Sequence, residues 1–67
     1  MLSNKLYTFL AVAETGNVSA AAKKLNLTQP AASQHIRALE QELGTKLYVR
    51  AENGIKLTNT GEIVLKY

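Results

Sequence analysis

Apolar side chains recur at helical spacing from the start of the chain. Leu2, Leu6, Phe9, Leu10 and Ala13 fall on one stripe of a 3.6-residue period. The stripe predicts a helix over residues 3–15, stopped by Gly16, because glycine most readily takes the left-handed position after a helix end. Ser19 then offers a capping oxygen to "AAAKKL", a short second helix that ends near Leu25. Asn26 tolerates the left-handed backbone of a tight turn. Thr28 reads as the cap of a third helix, with Pro30 in the first turn, where a missing N–H does no harm. Its core stripe is Ala32, Ile36, Leu39 and Leu43, and Gly44 ends it. The link between helices two and three is too short for antiparallel stacking and suits a sharp corner. Two helices meeting there form a helix-turn-helix.

After Gly44 the pattern changes. "KLYVR" and "IKLT" are short runs rich in β-formers, separated by "AENG". Asn53-Gly54 predicts a hairpin closed by a primed turn, whose central residues need positive φ. Thr58 or Thr60 then caps a last helix, "GEIVLKY", apolar on nearly every side at Ile63, Val64, Leu65 and Tyr67. That helix reads as cut short. The order of elements is that of a winged helix-turn-helix, a mainly α fold with three helices, a β-hairpin wing and the start of a C-terminal helix. Residues 1–58 form the winged unit, and 59–67 begin a linker or dimerisation helix.

The face of helix three opposite its core stripe is unusual. Pro30, Gln34, Arg37 and Gln41 line it, with Ser33 at its edge. A helix turned to water more often shows Lys and Glu there. Short polar side chains let the front of a helix sit deep in a DNA major groove. Gln complements an adenine edge, Ser bonds to bases or phosphates, and Arg reaches guanine or phosphate. A solvated helix face also explains this pattern, so the residues alone leave DNA, a protein partner and plain solvent open.

Composition narrows the setting. A chain of 67 residues holds one small domain, and a domain this size buries only about 60% of its unfolded surface. With 46% apolar and 19% charged residues the balance is globular. No cysteine means no disulfide, no zinc finger and no thiol nucleophile. A net charge of +3 and a pI near 9.5 permit an anionic partner without demanding one. "KLYTFLAVAE" imitates a signal peptide ending in Ala11-Val12-Ala13, but the helical stripe explains the same residues, and we read a core helix. No stretch approaches a membrane span, so the expectation is a cytoplasmic protein without a membrane partner.

"AAAKKLNLTQPAASQHIRALEQELGTKLYVR" resembles the N-terminal DNA-binding domain of LysR-type transcriptional regulators. The resemblance rests on Ala20-Ala21-Ala22, Leu25, Thr28-Gln29-Pro30-Ala31, Ser33, Ile36, Leu39-Glu40, Leu43-Gly44, Leu47, Arg50, Leu57-Thr58 and Gly61-Glu62, and covers essentially the whole chain. It implies a bacterial regulator that binds double-stranded DNA as a homodimer or higher oligomer. The helix at about 28–43 would enter the major groove and the wing would touch the backbone or minor groove. Carried over by position, Thr28, Gln29, Pro30 and Ser33 match DNA-facing positions of the family, and Arg50 matches a basic residue at the end of the first wing strand. Joined with the helix-three face, the reading is that Gln29, Pro30, Ser33 and Gln34 approach bases, while Thr28, Arg37, Arg50 and Lys56 hold the backbone. Ile63, Val64 and Tyr67 would belong to the dimer interface. Family members are several times longer and carry a ligand-sensing domain, so this segment holds no effector site. Two departures matter. Gln34 stands where many members have Arg, and Glu52-Asn53 occupy the wing tip where members often carry Arg, which predicts a weaker wing contact. The alternatives are a winged-helix module that binds protein and the similar domain of a molybdate-type regulator.

Other chemistry has little support. His35 is the only histidine, lies on the flank of helix three and has no second histidine or cysteine nearby, so it reads as a surface or boundary residue. Glu40 and Glu42 point to different faces and make poor acid–base partners. Tyr7, Phe9, Tyr48 and Tyr67 read as core or interface positions. Lys23-Lys24 either touch phosphates or form a solvated face. The expectation is no catalytic residue, no metal and no cofactor.

Overall fold

The computed structural model describes residues 4–66. Helix α1 (Asn4–Thr15) and helix α2 (Val18–Lys24) precede α3 (Gln29–Leu43), followed by strands β1 (Tyr48–Ala51) and β2 (Gly54–Leu57) and helix α4 (Asn59–Lys66). The expected winged helix-turn-helix is present, element for element. Gly16 and Gly44, both at φ 74, end α1 and α3, and Asn26 makes the left-handed turn at φ 59. Thr28 caps α3, its hydroxyl accepting from the Ala31 N–H at 3.2 Å.

Several local expectations need correction. The cap of α2 is Asn17, whose Oδ1 accepts from the Ala20 N–H at 3.0 Å, and Ser19 sits inside the helix. Asparagine is as good a cap as serine, so local chemistry does not choose between them. The buried face of α1 is Thr8, Phe9, Ala11 and Val12, with Leu6, Leu10 and Ala13 only half-buried; Leu2 lies outside the described residues. "LYTFLAVA" is apolar on most sides, and the contacts of α1 with both α2 and α3 select the face. Buried Thr8 is satisfied, because its Oγ1 lies 3.0 Å from the Asn4 carbonyl and 2.9 Å from His35 Nδ1. His35 is thus half-buried and engaged in packing. Leu43 continues the stripe of α3 but stays 45% exposed, since the last turn outruns the core.

The core is Phe9, Ala11, Val12, Ala21, Ile36, Leu39 and Leu47, with Ala22 and Ala32 also buried. Small residues dominate where α2 crosses its neighbours because short helices bury enough surface only by close approach. Leu47 ties the hairpin to this core. Its N–H donates to Glu40 Oε2 at 2.9 Å, and its carbonyl accepts from the Thr58 N–H at 3.0 Å. The hairpin pairs Tyr48 with Leu57, Val49 with Lys56, Arg50 with Ile55 and Ala51 with Gly54, leaving Glu52-Asn53 as the loop. Neither loop residue has positive φ; the unusual backbone falls on Gly54 at φ 136, so the turn is not the primed type expected.

Of the two caps considered for α4, Thr58 serves. Its Oγ1 accepts from the Gly61 N–H at 3.1 Å and donates to the Lys46 carbonyl at 2.7 Å. Gly61 packs so tightly that a Cβ would overlap the Leu47 carbonyl oxygen. Replacing Gly61 by Ala therefore pushes α4 off the wing base and strains the Thr58–Leu47 bond. We expect a loss of about 1–3 kcal/mol, the usual cost of overpacking, measurable as a lower midpoint in urea; an unchanged midpoint would refute this packing.

Candidate nucleic-acid interface

The exposed face of α3 has the composition read from the sequence. Gln29, Pro30, Gln34, Arg37 and Gln41 are exposed, and Ser33 is half-buried at the edge. Gln29 Nε2 donates to Ser33 Oγ at 3.1 Å, one helical turn on. That bond leaves the Gln29 carbonyl as a free acceptor direction and the Ser33 hydroxyl proton available to donate. The pair therefore offers both hydrogen-bond polarities at the front of the helix, where Thr28 begins it.

The wing completes the surface unevenly. Side chains of paired residues share a face of the hairpin, so Arg50 lies with Tyr48, Ile55 and Leu57, the last three packed toward the core. Arg50 consequently stands on the side of α3. A cleft of about 440 Å³ between α3 and β1 is lined by Ser33, Arg37, Glu40, Lys46, Tyr48 and Arg50, among others. A smaller one of about 180 Å³ joins Asn17, Ser19, Gln29, Ser33, Arg50 and Gly54 where the wing meets the turn before α2. Lys56 pairs with Val49 on the outer face and lines neither cleft. The two wing cations named from the sequence thus point to different sides.

Charge is sorted in the same sense. Lys5 pairs with Glu42 at the far end of α3, and Lys24 pairs with Glu14. Lys24 is therefore engaged, whereas Lys23 is exposed beside a groove shared with Asn17, Ser19 and Gln29. Burial, and then the Glu40 carboxylate, push the Tyr48 phenol above its ordinary value, against the opposing pull of Arg50 and Arg37. Tyr48 stays neutral and fills the space between these charges. Asn17 and Lys46 were missed from the sequence, and Tyr48, read there as a core or interface position, packs against the core and also borders both clefts. The signal for Asn17 and Lys46 is tertiary, because each meets Ser33 and Tyr48 across a cleft, Lys46 in the larger and Asn17 in the smaller.

For the remaining named positions, Ile63 is 56% exposed on α4, while Val64 packs against the domain's own core. Tyr67 lies outside the described residues. No group of three or more His, Cys, Asp or Glu that could hold a metal occurs among the described residues. No helix among them is long and apolar enough to cross a membrane.

An exposed polar helix reached through a helix-turn-helix corner and flanked by a cationic hairpin defines the winged-helix class. The profile of bacterial regulatory helix-turn-helix proteins of the lysR family matches residues 3–62, and the chain belongs to that family. This decides against the molybdate-type alternative. The transcriptional regulator ClcR of Pseudomonas putida is 45% identical over 62 residues, 92% of this chain but 21% of its own length. The chain thus spans about a fifth of that relative. A crystal structure of the CbnR DNA-binding domain with DNA superposes with a TM-score of 0.90 at 44% identity, covering 98% of this chain and 76% of that one. The BenM DNA-binding domain on catB site 1 DNA gives 0.91 at 37% identity, covering 100% and 75%. The fold is the winged helix of LysR-type DNA-binding domains.

Proposed function

We propose that this domain binds double-stranded DNA sequence-specifically, with the front of α3 in the major groove. The observation that carries the reading is the outward face of α3, which joins short amide and hydroxyl side chains to flanking cations on the fold that CbnR and BenM use on DNA. Gln29, Pro30, Ser33 and Gln34 meet base edges. Thr28, Arg37 and Arg50 hold phosphates, and Lys56, on the outer face of the wing, serves a neighbouring stretch of backbone. With Glu52 and Asn53 at its tip, the wing adds charge only through its strands. The role is recognition and involves no bond making or breaking. Helix α4 begins the linker, and Ile63 and Tyr67 contribute to a homodimer interface. Val64 is mainly committed to its own domain. Work on bacterial DNA places the protein in the cytoplasm.

Gln34 supplies the test. It lies one turn inside α3, opposite Ile36 and Leu39, where side chains reach bases. An amide offers one donor and one acceptor and complements adenine N6 and N7; a guanidinium offers only donors and complements guanine O6 and N7. Gln34→Arg is expected to move preference from adenine to guanine at one position of each half-site, by roughly 1–3 kcal/mol. Selection of bound duplexes from a random pool reads the change. Identical selected sequences for both proteins would make Gln34 a bystander, and no enrichment by either would remove the DNA reading.

A further inference from the structure

Gly54 carries an unusually close approach between the wing and the rest of the domain. It stands at φ 136, and a Cβ built on it would lie 2.5 Å from the Gly16 carbonyl oxygen, a separation that side chains do not sustain. Gly16 is the left-handed residue that ends α1. The same small cleft that holds both glycines contains Asn17, Gln29, Ser33 and Arg50. At its other end the hairpin is tied by Leu47 to Glu40 and by Thr58 to Lys46 and Leu47. The wing is thus held at its base by hydrogen bonds and near its tip by backbone contact.

We propose that Gly54 is a positioning residue for DNA binding. Lacking a Cβ, it lets the hairpin lie against the Gly16 carbonyl, and that contact sets Arg50 beside Ser33 and Gln29 before DNA arrives. The inference rests on the reading of this face as DNA-binding. Arg50 pairs across the hairpin with Ile55, the residue after Gly54, so a displacement at Gly54 passes directly to it. A wing held in place beforehand loses no freedom on binding, which raises affinity without adding a contact. A glycine needed only for its positive φ would act differently. Its replacement would lower stability but leave Arg50 in place in the folded molecules.

A double-mutant cycle separates these roles. Arg50→Gln and Gly54→Ala are measured singly and together for duplex affinity and salt dependence, at a temperature where circular dichroism shows each protein folded. Gly44→Ala is the control, because Gly44 also has positive φ but no atom beyond its chain neighbours stands within 4 Å of an added Cβ. Arg50→Gln should cost about tenfold in the wild-type and Gly44→Ala backgrounds, the size of one charge-assisted contact. In the Gly54→Ala background it should cost less than about twofold, and Gly54→Ala alone should already reduce the salt slope by roughly 0.9, one phosphate. The same tenfold cost in all three backgrounds overturns the inference while leaving DNA binding intact. A wild type that ignores duplex DNA overturns the functional reading and the role of Gly54 with it. Backbone relaxation of the free wild-type protein needs no variant. Hairpin order parameters near ~0.85, with cross-relaxation between Gly54 and the Gly16–Asn17 backbone, are expected, and values below about 0.6 would overturn a preset wing.

Discussion

Affinity for a duplex should fall by roughly two to three decades between 50 and 200 mM salt, if four to six phosphates are neutralised by each domain. The estimate follows from counterion release, in which each neutralised phosphate contributes about 0.9 to the slope of log affinity against log salt. Arg37, Lys46 and Arg50 border the cleft between α3 and the wing, Lys23 is exposed by the groove beside Gln29, and Lys56 is exposed on the outer wing face. Lys5 is already paired with Glu42. Arg50→Gln should therefore flatten the slope, while Lys5→Gln should leave it unchanged. A fluorescence titration that is level across this salt range would mean that phosphates play no part. It would turn the same face into a surface for an uncharged or apolar partner.

Phe9→Ala should leave the domain largely unfolded at 25 °C. Phe9 is fully buried at the centre of the core, among Val12, Ile36 and Leu47. Truncating a buried Phe costs about 3–5 kcal/mol, from lost transfer free energy and from the cavity left behind. A single core in a domain of this size rarely supplies more than about 3–5 kcal/mol in total. One substitution therefore removes most of the margin. Circular dichroism should show the helical signal lost and duplex binding lost with it, although Phe9 is nowhere near the proposed interface. A cooperative urea transition with a midpoint close to the wild type would show that the core is larger or more yielding than its small volume suggests.

Much of the fold was legible in the chain because its stop signals are strong and local. Gly16, Asn26, Thr28 and Gly44 each do what their own backbone and side-chain chemistry favours, and they set the corner between α2 and α3 without reference to the rest. The outward polar stripe of α3 was equally legible, because Ala32, Ile36 and Leu39 define the opposite side at the helical period. Choices between chemically equal neighbours were harder to read. Asn17 and Ser19 are both good caps, and only the packing of α2 against α1 and α3 decides for Asn17. The apolar surround of α1 likewise has no preferred side until two other helices cover it.

The sequence by itself determined the ends of α1 and α3, the start of α3 at Thr28, the helix-turn-helix corner, the place of the hairpin and the face of α3, since each depends on contacts within a few residues. Tertiary structure alone decided the rest. It turned Arg50 toward α3 and Lys56 away, through the pairing register and the side of the hairpin that packs on the core. It brought Asn17 and Lys46 to the clefts beside Ser33, and it set Gly54 against Gly16 and Gly61 against Leu47. These are contacts between residues far apart in the chain. Their energies arise from close packing and from the absence of a Cβ at one point, and neither leaves a periodic trace in the order of the residues.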